Sequence, residues 1–364
     1  LIAFTALMLW MYFFKMRRAT GLLAQLAADA QTPIDPPPVS APEEASQRPP
    51  DSPAEPPKFP TMRSRTEPVE KWSGKLRVDR ILQETHEVKT LRLANPDDIA
   101  LPFTYYPGQF LTFVLTLDGK PVKRSYTIAS TPTQSHYCSV TVKREEEGMV
   151  SRYLNDEVKE GDLLELAAAN GKFTFTGDEA DSLVLIGGGV GITPLMSVIR
   201  YLTDIGWRND IYLLYCCRTT DDFIFRSELE QLQLLHSNLH VHASMTREPG
   251  AVWMGLKGYF TTDIINHLVP EIATRRVHVC GPAGMMDAVL QMLGELSVPE
   301  EQIFTEAFGP AKKPEQPAAQ VADAKSTTVR FQQSGKSGDL AANQTILDTA
   351  DAVGVDIDNS CRSG

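Results

Sequence analysis

Glycines that follow an apolar strand and precede a helix are the clearest chemical signal in this sequence. The stretch "LVLIGGGVGITP" contains Gly187, Gly188, Gly189 and Gly191, with Thr193 at the start of the following helix-like segment. Glycines allow the backbone to approach a pyrophosphate, and helix N-termini favour anions. A glycine run can also form a plain tight turn, but the strand and helix on either side favour dinucleotide binding.

A cation, a phenol and hydroxyl groups occur together in the stretch "KRSYTIAS". On a strand, Arg124 and Tyr126 would share one face, whereas Ser125 and Thr127 would lie on the other. A guanidinium can bind phosphate and a phenol can cover a flat ring, so the pair suits a phosphorylated ring cofactor. Ordinary barrel surface carries the same residue types, and this stretch alone leaves both interpretations open.

Two further stretches could bind ligands at the start of a helix. In "GMVSRYLND", Gly148 to Ser151 would offer free backbone amides to an anion, although simple N-capping explains the same residues. In "VHVCGPAGMM", Cys280, Gly281 and Pro282 follow a buried strand, at the edge where open α/β sheets bind ligands. A cysteine there can equally be a small buried hydrophobe.

The elements that must position these residues fall into two groups. Short alternating runs from about Trp72, separated by turn residues, predict a small antiparallel β-barrel. From Ser182 onwards, strand and helix patterns alternate, which predicts an open parallel sheet with helices on both faces. The predicted fold class is therefore an antiparallel barrel followed by an α/β domain with a parallel sheet.

Composition excludes some functions and bears on the compartment. The net charge of −11 argues against nucleic-acid binding, which requires a basic surface. The five cysteines show neither a disulfide framework nor zinc-ligand spacing, so a reducing compartment fits best. The first fourteen residues are uncharged and are followed by Lys15, Arg17 and Arg18, which predicts part of a transmembrane helix with the rest of the chain in the cytoplasm. A buried core helix is the alternative for this segment.

The order of five stretches, "YPGQF", "RSYTIAS", "GMVS", "GGGVGITP" and "VCGP", resembles the ferredoxin–NADP reductase superfamily over roughly residues 72–309. The resemblance implies that the barrel binds FAD and that the second domain binds NAD(P)H. It implies catalytic roles for Tyr126, stacked on the flavin ring, Thr127, near flavin N5, and Cys280, near the hydride-transfer position. The implied cofactor-binding set is Arg124, Ser125, Tyr126, Thr127, Gly148, Met149, Val150, Ser151, Gly188, Gly189, Gly191, Thr193, Arg218, Cys280, Gly281, Pro282 and Phe308.

The C-terminal segment resembles part of a plant-type [2Fe–2S] ferredoxin. "TTVRFQQSG" predicts a strand and "TILDTADAVGVDI" a short helix, and "DNSCRSG" resembles the beginning of the cluster loop. Plant-type ferredoxins use C-x4-C-x2-C and a distant fourth cysteine. We therefore expect Cys361 to be the first cluster ligand and the sequence to be cut inside the motif. An unrelated cysteine is the alternative.

The predicted organisation has six parts: 1–18, a partial transmembrane helix; 19–66, a membrane-proximal helix and Pro-rich linker; 67–178, the FAD-binding barrel; 179–309, the NAD(P)-binding domain; 310–326, a linker; and 327–364, the truncated ferredoxin-like module. The whole resembles the reductase components of ring-hydroxylating oxygenases and the NADH oxidoreductase that serves hybrid cluster protein. We expect an inner-membrane anchor, with the catalytic domains facing the cytoplasm.

The resulting hypothesis is an oxidoreductase that passes electrons from NAD(P)H through FAD and a [2Fe–2S] cluster to an oxygenase, a cytochrome or another redox protein. A cluster-independent flavin reductase or oxidase is one alternative, and a non-catalytic redox sensor is another. The donor is open. Arg218 could accept the 2′-phosphate of NADPH, which we favour slightly, whereas the nearby Asp221 and Asp222 would repel it.

Overall fold

The computed structural model describes residues 72–247, 253–308, 327–332, 334–340 and 346–355. All of them belong to one compact unit, Ser64–Gly364. The predicted membrane helix, both predicted linkers and Cys361 lie outside these residues. Within the described part of the chain, no helix combines the length and the apolar character that crossing a membrane would require.

The first domain is built on a six-stranded antiparallel sheet with the order β4-β3-β6-β1-β2-β5. Its strands are β1 (Trp72–Thr85), β2 (Val88–Ala94), β3 (Phe110–Leu117), β4 (Lys120–Thr127), β5 (Tyr137–Lys143) and β6 (Leu163–Asn170). An isolated bridge between Ile128 and Val140 brings β5 back to the end of β4, so the sheet curls towards a barrel. Helix α1 (Met149–Arg152) and a π-helical turn connect β5 to β6.

The second domain is a six-stranded sheet with the order β10-β9-β8-β7-β11-β12, and every pairing in it is parallel. Its strands are β7 (Leu183–Gly188), β8 (Ile211–Cys217), β9 (Leu239–Met245), β10 (Leu256–Lys257), β11 (Arg276–Gly281) and β12 (Ile303–Ala307). Its helices are α2 (Ile192–Asp204), α3 (Arg226–Leu235), α4 (Thr262–Leu268) and α5 (Ala283–Glu295). The predicted succession of an antiparallel and a parallel sheet is confirmed.

The strands of the second sheet run in one direction, and its central strands are buried on both faces. Every residue of β7 and of β8 is buried, as expected for central strands covered by helices. The carboxyl ends of β7, β8, β11 and β12 therefore reach one edge of the sheet. This edge is where the glycine loop, Arg218, Cys280 and the last residues of β12 lie.

Polar contacts fix the barrel against helix α2. The Ser197 hydroxyl donates to the Ser130 carbonyl at 2.9 Å, and Arg200 Nη1 donates to the Ala129 carbonyl at 2.6 Å. Arg200 also holds both carboxylate oxygens of Glu228 on α3, at 2.7 and 2.6 Å. Because the Ala129 and Ser130 carbonyls lie just after β4, these contacts position the end of β4 relative to the parallel sheet.

The C-terminal segment contains an antiparallel hairpin, β13 (Thr327–Phe331) and β14 (Lys336–Leu340), followed by helix α6 (Ile346–Ala352). The predicted strand and helix are present here. Lys336 donates to the Gly354 carbonyl at 2.9 Å and so ties the start of β14 to the turn after α6.

Candidate functional site

Three strand ends from the two domains meet at one place. Thr127 is the last residue of β4, Cys280 lies near the end of β11, and Glu306 is paired in register with Cys280 on β12. The Glu306 carboxyl lies close to the Thr127 hydroxyl, which acts to lower the pKa of Glu306, and beside the Cys280 thiol, whose pKa the carboxylate charge helps to raise. The structure therefore brings together two of the three predicted catalytic residues and adds a carboxyl group.

Two polar atoms at this junction have no hydrogen-bond partner among the residues that the structure describes. They are Thr127 Oγ1 and Glu306 Oε2, and both atoms are buried. Burial raises the pKa of Glu306 to about 7, although the Thr127 hydroxyl acts in the opposite direction. Burial also raises the pKa of Cys280, and Glu306 contributes to that shift. Buried polar atoms of this kind usually have a partner, so a bound group with donors and acceptors fits here.

Three other predicted site residues precede Thr127 on β4. Tyr126 packs edge-on against Phe113 at 5.5 Å between ring centroids, and burial raises the pKa of its phenol. Arg124 is exposed and donates to the Lys123 carbonyl, yet its charge still acts on Tyr126. Ser125 lies on the opposite face, where its hydroxyl is 3.0 Å from that of Thr112. The predicted alternation along this strand is present.

Gly148 lies at the start of helix α1, as predicted, where it is the N-cap residue, but the Ser151 hydroxyl has a local role. Ser151 Oγ donates to the Gly148 carbonyl and accepts from the Glu145 amide, both at 3.1 Å. A Cβ on Gly148 would lie 2.2 Å from Ser151 Oγ, which explains the glycine. Anion binding would therefore depend on the amides of the first turn, including Met149 and Val150, more than on the serine hydroxyl.

The glycine loop runs from the end of β7 into α2. Gly188 ends the strand, Gly189 adopts a left-handed conformation with φ of 54°, and the Tyr215 hydroxyl donates to its carbonyl at 3.0 Å. Thr193 is buried and donates to the Val190 carbonyl at 3.0 Å, so its hydroxyl closes the loop internally. A Cβ on Gly191 would lie 2.3 Å from the Cys280 carbonyl oxygen. The glycine therefore permits the loop to lie directly against β11.

Cys280, Gly281 and Pro282 form the transition from β11 to α5. Cys280 and Gly281 are buried, whereas Pro282 is exposed just before the helix. Gly188 packs beside this turn, since a Cβ there would lie 2.4 Å from Met285 Sδ and 3.4 Å from Pro282 Cδ. The two predicted strand-to-helix loops are therefore neighbours at one sheet edge.

Arg218 and Phe308 lie at two other positions along the edge. Arg218 follows β8 and donates from Nη2 to Glu87 at 2.7 Å and to Asp222 at 2.9 Å. Phe308 follows β12 and has an exposed fraction of 37%. Of the predicted site residues, Cys361 lies outside the described part of the chain.

Sequence reasoning missed Glu306 and the role of Glu87. Glu306 lies in "FTEAFG", two residues before Phe308, and the strand pattern alone gave no reason to single out one carboxylate in a strongly acidic chain. Its signal is positional, because it is the penultimate residue of β12 and is paired in register with Cys280. Glu87 lies in the turn between β1 and β2, where charged residues are common, and only the folded chain shows its contact with Arg218.

The arrangement fits a flavin and a nicotinamide dinucleotide. The orphaned Thr127 and Glu306 atoms suit the heteroatoms of a flavin ring, and Tyr126 offers an aromatic surface beside them. The glycine loop and the adjoining turn after β11 leave the backbone open to a pyrophosphate. Thr127 and Cys280 mark the junction at which the two ligands would meet.

Two family descriptions match the chain in the same order as the two sheets. The description "Oxidoreductase FAD-binding domain" matches residues 75–175, and "Oxidoreductase NAD-binding domain" matches residues 185–291. The two matches cover the antiparallel and the parallel sheet respectively.

Relatives and solved structures agree with these matches. The glycine betaine monooxygenase reductase subunit of Pseudomonas aeruginosa is 33% identical over 303 residues, which cover 79% of this chain and 82% of the relative. NADH oxidoreductase HCR of Escherichia coli is 30% identical over 304 residues, covering 82% of this chain and 85% of the relative. The FAD/NAD-binding domain of a nitric oxide dioxygenase from Vibrio cholerae is 28% identical, with a TM-score of 0.59. The match covers 65% of this chain and 98% of that structure. Phthalate dioxygenase reductase is 25% identical with a TM-score of 0.57, covering 80% and 84%.

Proposed function

The chain belongs to the ferredoxin–NADP reductase superfamily, as an NAD(P)H-dependent flavoprotein oxidoreductase, and on that premise we propose that it delivers electrons from NAD(P)H through FAD to a [2Fe–2S] cluster and then to an oxygenase-type acceptor protein. The observation that carries the proposal is the meeting of Thr127 on the FAD-binding domain with Cys280 and Glu306 on the NAD-binding domain. Bound FAD would accept a hydride and release its two electrons singly.

The residues of the chain orient the two ligands and control protons at the junction. Tyr126 provides a ring surface beside Arg124, whose positive charge suits a phosphate. The Thr127 hydroxyl is free to hydrogen-bond to a ring heteroatom. Glu306, with a pKa of about 7, can hold a proton next to that hydroxyl near neutral pH. The glycine loop lies directly against Cys280, so the nicotinamide end would enter beside both.

The [2Fe–2S] cluster, the acceptor protein and the membrane anchor are the more specific parts of the proposal. The hairpin and helix of residues 327–355 support a ferredoxin-like module, in which Cys361 would be the first cluster ligand. The monooxygenase and dioxygenase reductases among the relatives support an oxygenase as the acceptor. The apolar residues 1–14 support an anchor in the inner membrane with the catalytic domains in the cytoplasm.

An anaerobic absorbance titration of the purified protein with NADH and, separately, NADPH tests the flavin reductase activity. We expect a yellow protein that one of the nucleotides bleaches within seconds. Thr127→Val should slow the bleaching at least tenfold, whereas Thr116→Val, at an exposed site on β3, should leave the rate unchanged. A protein that binds flavin but resists both nucleotides for hours would support the redox-sensor alternative.

The cluster is tested separately by iron and sulfide analysis of the purified protein. We expect two irons and two sulfides per chain, with the iron lost in Cys361→Ser and retained in Cys216→Ala, since Cys216 is buried at the end of β8. Both variants should reduce ferricyanide, because this small acceptor can take electrons from the flavin directly. Loss of cytochrome c reduction in Cys361→Ser would fit the cluster pathway, whereas a wild-type protein without iron would support the cluster-independent alternative.

A further inference from the structure

The strongest unassigned feature is an ion-pair network that joins the two domains at the edge of the parallel sheet. Arg218, directly after β8, donates from a single nitrogen, Nη2, to Glu87 Oε2 at 2.7 Å and to Asp222 Oδ1 at 2.9 Å. Glu87 belongs to the FAD-binding domain, in the turn between β1 and β2. The end of the second strand in a nucleotide-binding sheet is where an acidic residue or an arginine reads the adenosine ribose.

In this network Arg218 already forms ion pairs with two carboxylates. Its side chain has two carboxylate partners, and its pKa is raised, chiefly by the hydrogen bond to Glu87 and further by Asp222. Asp222 cannot move away easily, because its second oxygen accepts from the Thr219 amide at 3.1 Å and from the Thr219 hydroxyl at 2.8 Å. A 2′-phosphate would have to displace Glu87 from Arg218 or bind beside it.

The charges around Arg218 also disfavour the binding of a 2′-phosphate. Asp221 is exposed next to Asp222, and the exposed Arg247 lies beside Arg218 through a backbone hydrogen bond of 2.9 Å. Within the hydrogen-bonded network itself, one guanidinium meets two carboxylates, so a further dianion meets net negative charge. His86 Nε2 lies 3.8 Å from Glu87 Oε1 and would offset one charge only when protonated. A neutral ribose 2′-hydroxyl meets no such repulsion and can still bond to the partly exposed guanidinium.

We propose that Glu87, a residue of the FAD-binding domain, selects NADH over NADPH by keeping Arg218 paired. This inference rests on the proposed function, because it names the donor for the same site. It assigns specificity to a residue outside the NAD-binding domain. Glu87 is a positioning residue here, since it acts on the nucleotide through Arg218.

Donor selectivity in steady-state turnover with an artificial acceptor is the first measurement. The wild-type protein should have a kcat/KM for NADH at least tenfold above that for NADPH. Glu87→Gln keeps the size of the side chain and removes its charge, and should shift the ratio roughly tenfold towards NADPH through a lower KM, the equivalent of about 1.4 kcal/mol. Glu230→Gln is the matched control, because it breaks an exposed arginine–glutamate pair of 2.8 Å on α3.

A second variant and a binding assay separate the possible outcomes. In the double variant Glu87→Gln/Arg218→Gln, the shift of the kcat/KM ratio towards NADPH should disappear, because that shift requires the guanidinium that Glu87→Gln leaves unpaired. Calorimetry with 2′,5′-ADP and 5′-AMP measures the 2′-phosphate contribution without turnover, and Glu87→Gln should tighten only 2′,5′-ADP. Wild-type preference for NADPH, or a Glu87→Gln ratio within twofold of wild type, would overturn the inference. Failure of both nucleotides to bleach the flavin would refute the proposed function, while the calorimetry would still test Glu87.

Discussion

The buried carboxyl of Glu306 predicts a pH-dependent loss of stability. Its pKa of about 7 lies above the ordinary value of 4.5 because burial penalises the carboxylate. Between these values the folded protein holds a proton that the unfolded chain has released, so stability is fully present below pH 4.5 and is lost as the pH rises to 7. A difference of roughly 2.5 pKa units corresponds to about 3 kcal/mol as an upper limit.

Glu306→Gln removes this titration and keeps the shape of the side chain. We expect the flavin-free wild-type protein to lose about 2 to 3 kcal/mol relative to Glu306→Gln between pH 5 and pH 8. Urea denaturation followed by circular dichroism at each pH measures the difference in free energy of unfolding. Glu301→Gln, at an exposed position just before β12, should show no such trend. A wild-type-minus-Gln difference that stays within 0.5 kcal/mol, on the order of the error of the method, would refute the buried, unpaired state of this carboxyl.

Three further predictions concern packing, domain contact and thiol reactivity. Gly191→Ala should lower the free energy of unfolding by more than about 2 kcal/mol in urea titrations, because its Cβ would lie 2.3 Å from a backbone oxygen. The control Gly284→Ala places its Cβ in open space within a helix and should be neutral or slightly stabilising. Arg200→Met should destabilise the protein by about 2 to 4 kcal/mol, since it leaves Glu228 and the Ala129 carbonyl without their donor; a thermal shift under about 2 °C would contradict this. Cys138, Cys216 and Cys217, buried with pKa values raised by burial to about 12, 11 and 12, should resist iodoacetamide at pH 8 in the native protein and react after unfolding, as peptide mass mapping would show.

Local patterns determined the order and type of the main elements. Alternating runs produced the antiparallel sheet because each strand buries one face. The continuous apolar run before Gly187 and the short Val-His-Val run before Cys280 became central parallel strands. The positions of the glycine loop and Cys280 follow from the same reasoning, because the carboxyl ends of parallel strands share one edge. These features depend on neighbours in the sequence, so they can be read without coordinates.

Tertiary structure decided which polar groups remain available for a ligand. Ser151 and Thr193 looked like ligand-binding hydroxyls, yet each donates to a nearby backbone carbonyl. Glu306 became a site residue only because docking of the two domains buries it beside Thr127. Arg218 is paired with Glu87, a residue 131 positions away in the sequence. Partners this distant are set by domain packing, which no local pattern encodes. The sequence therefore established the kind of chemistry, and the fold decided the charge and the hydrogen bonding of each group.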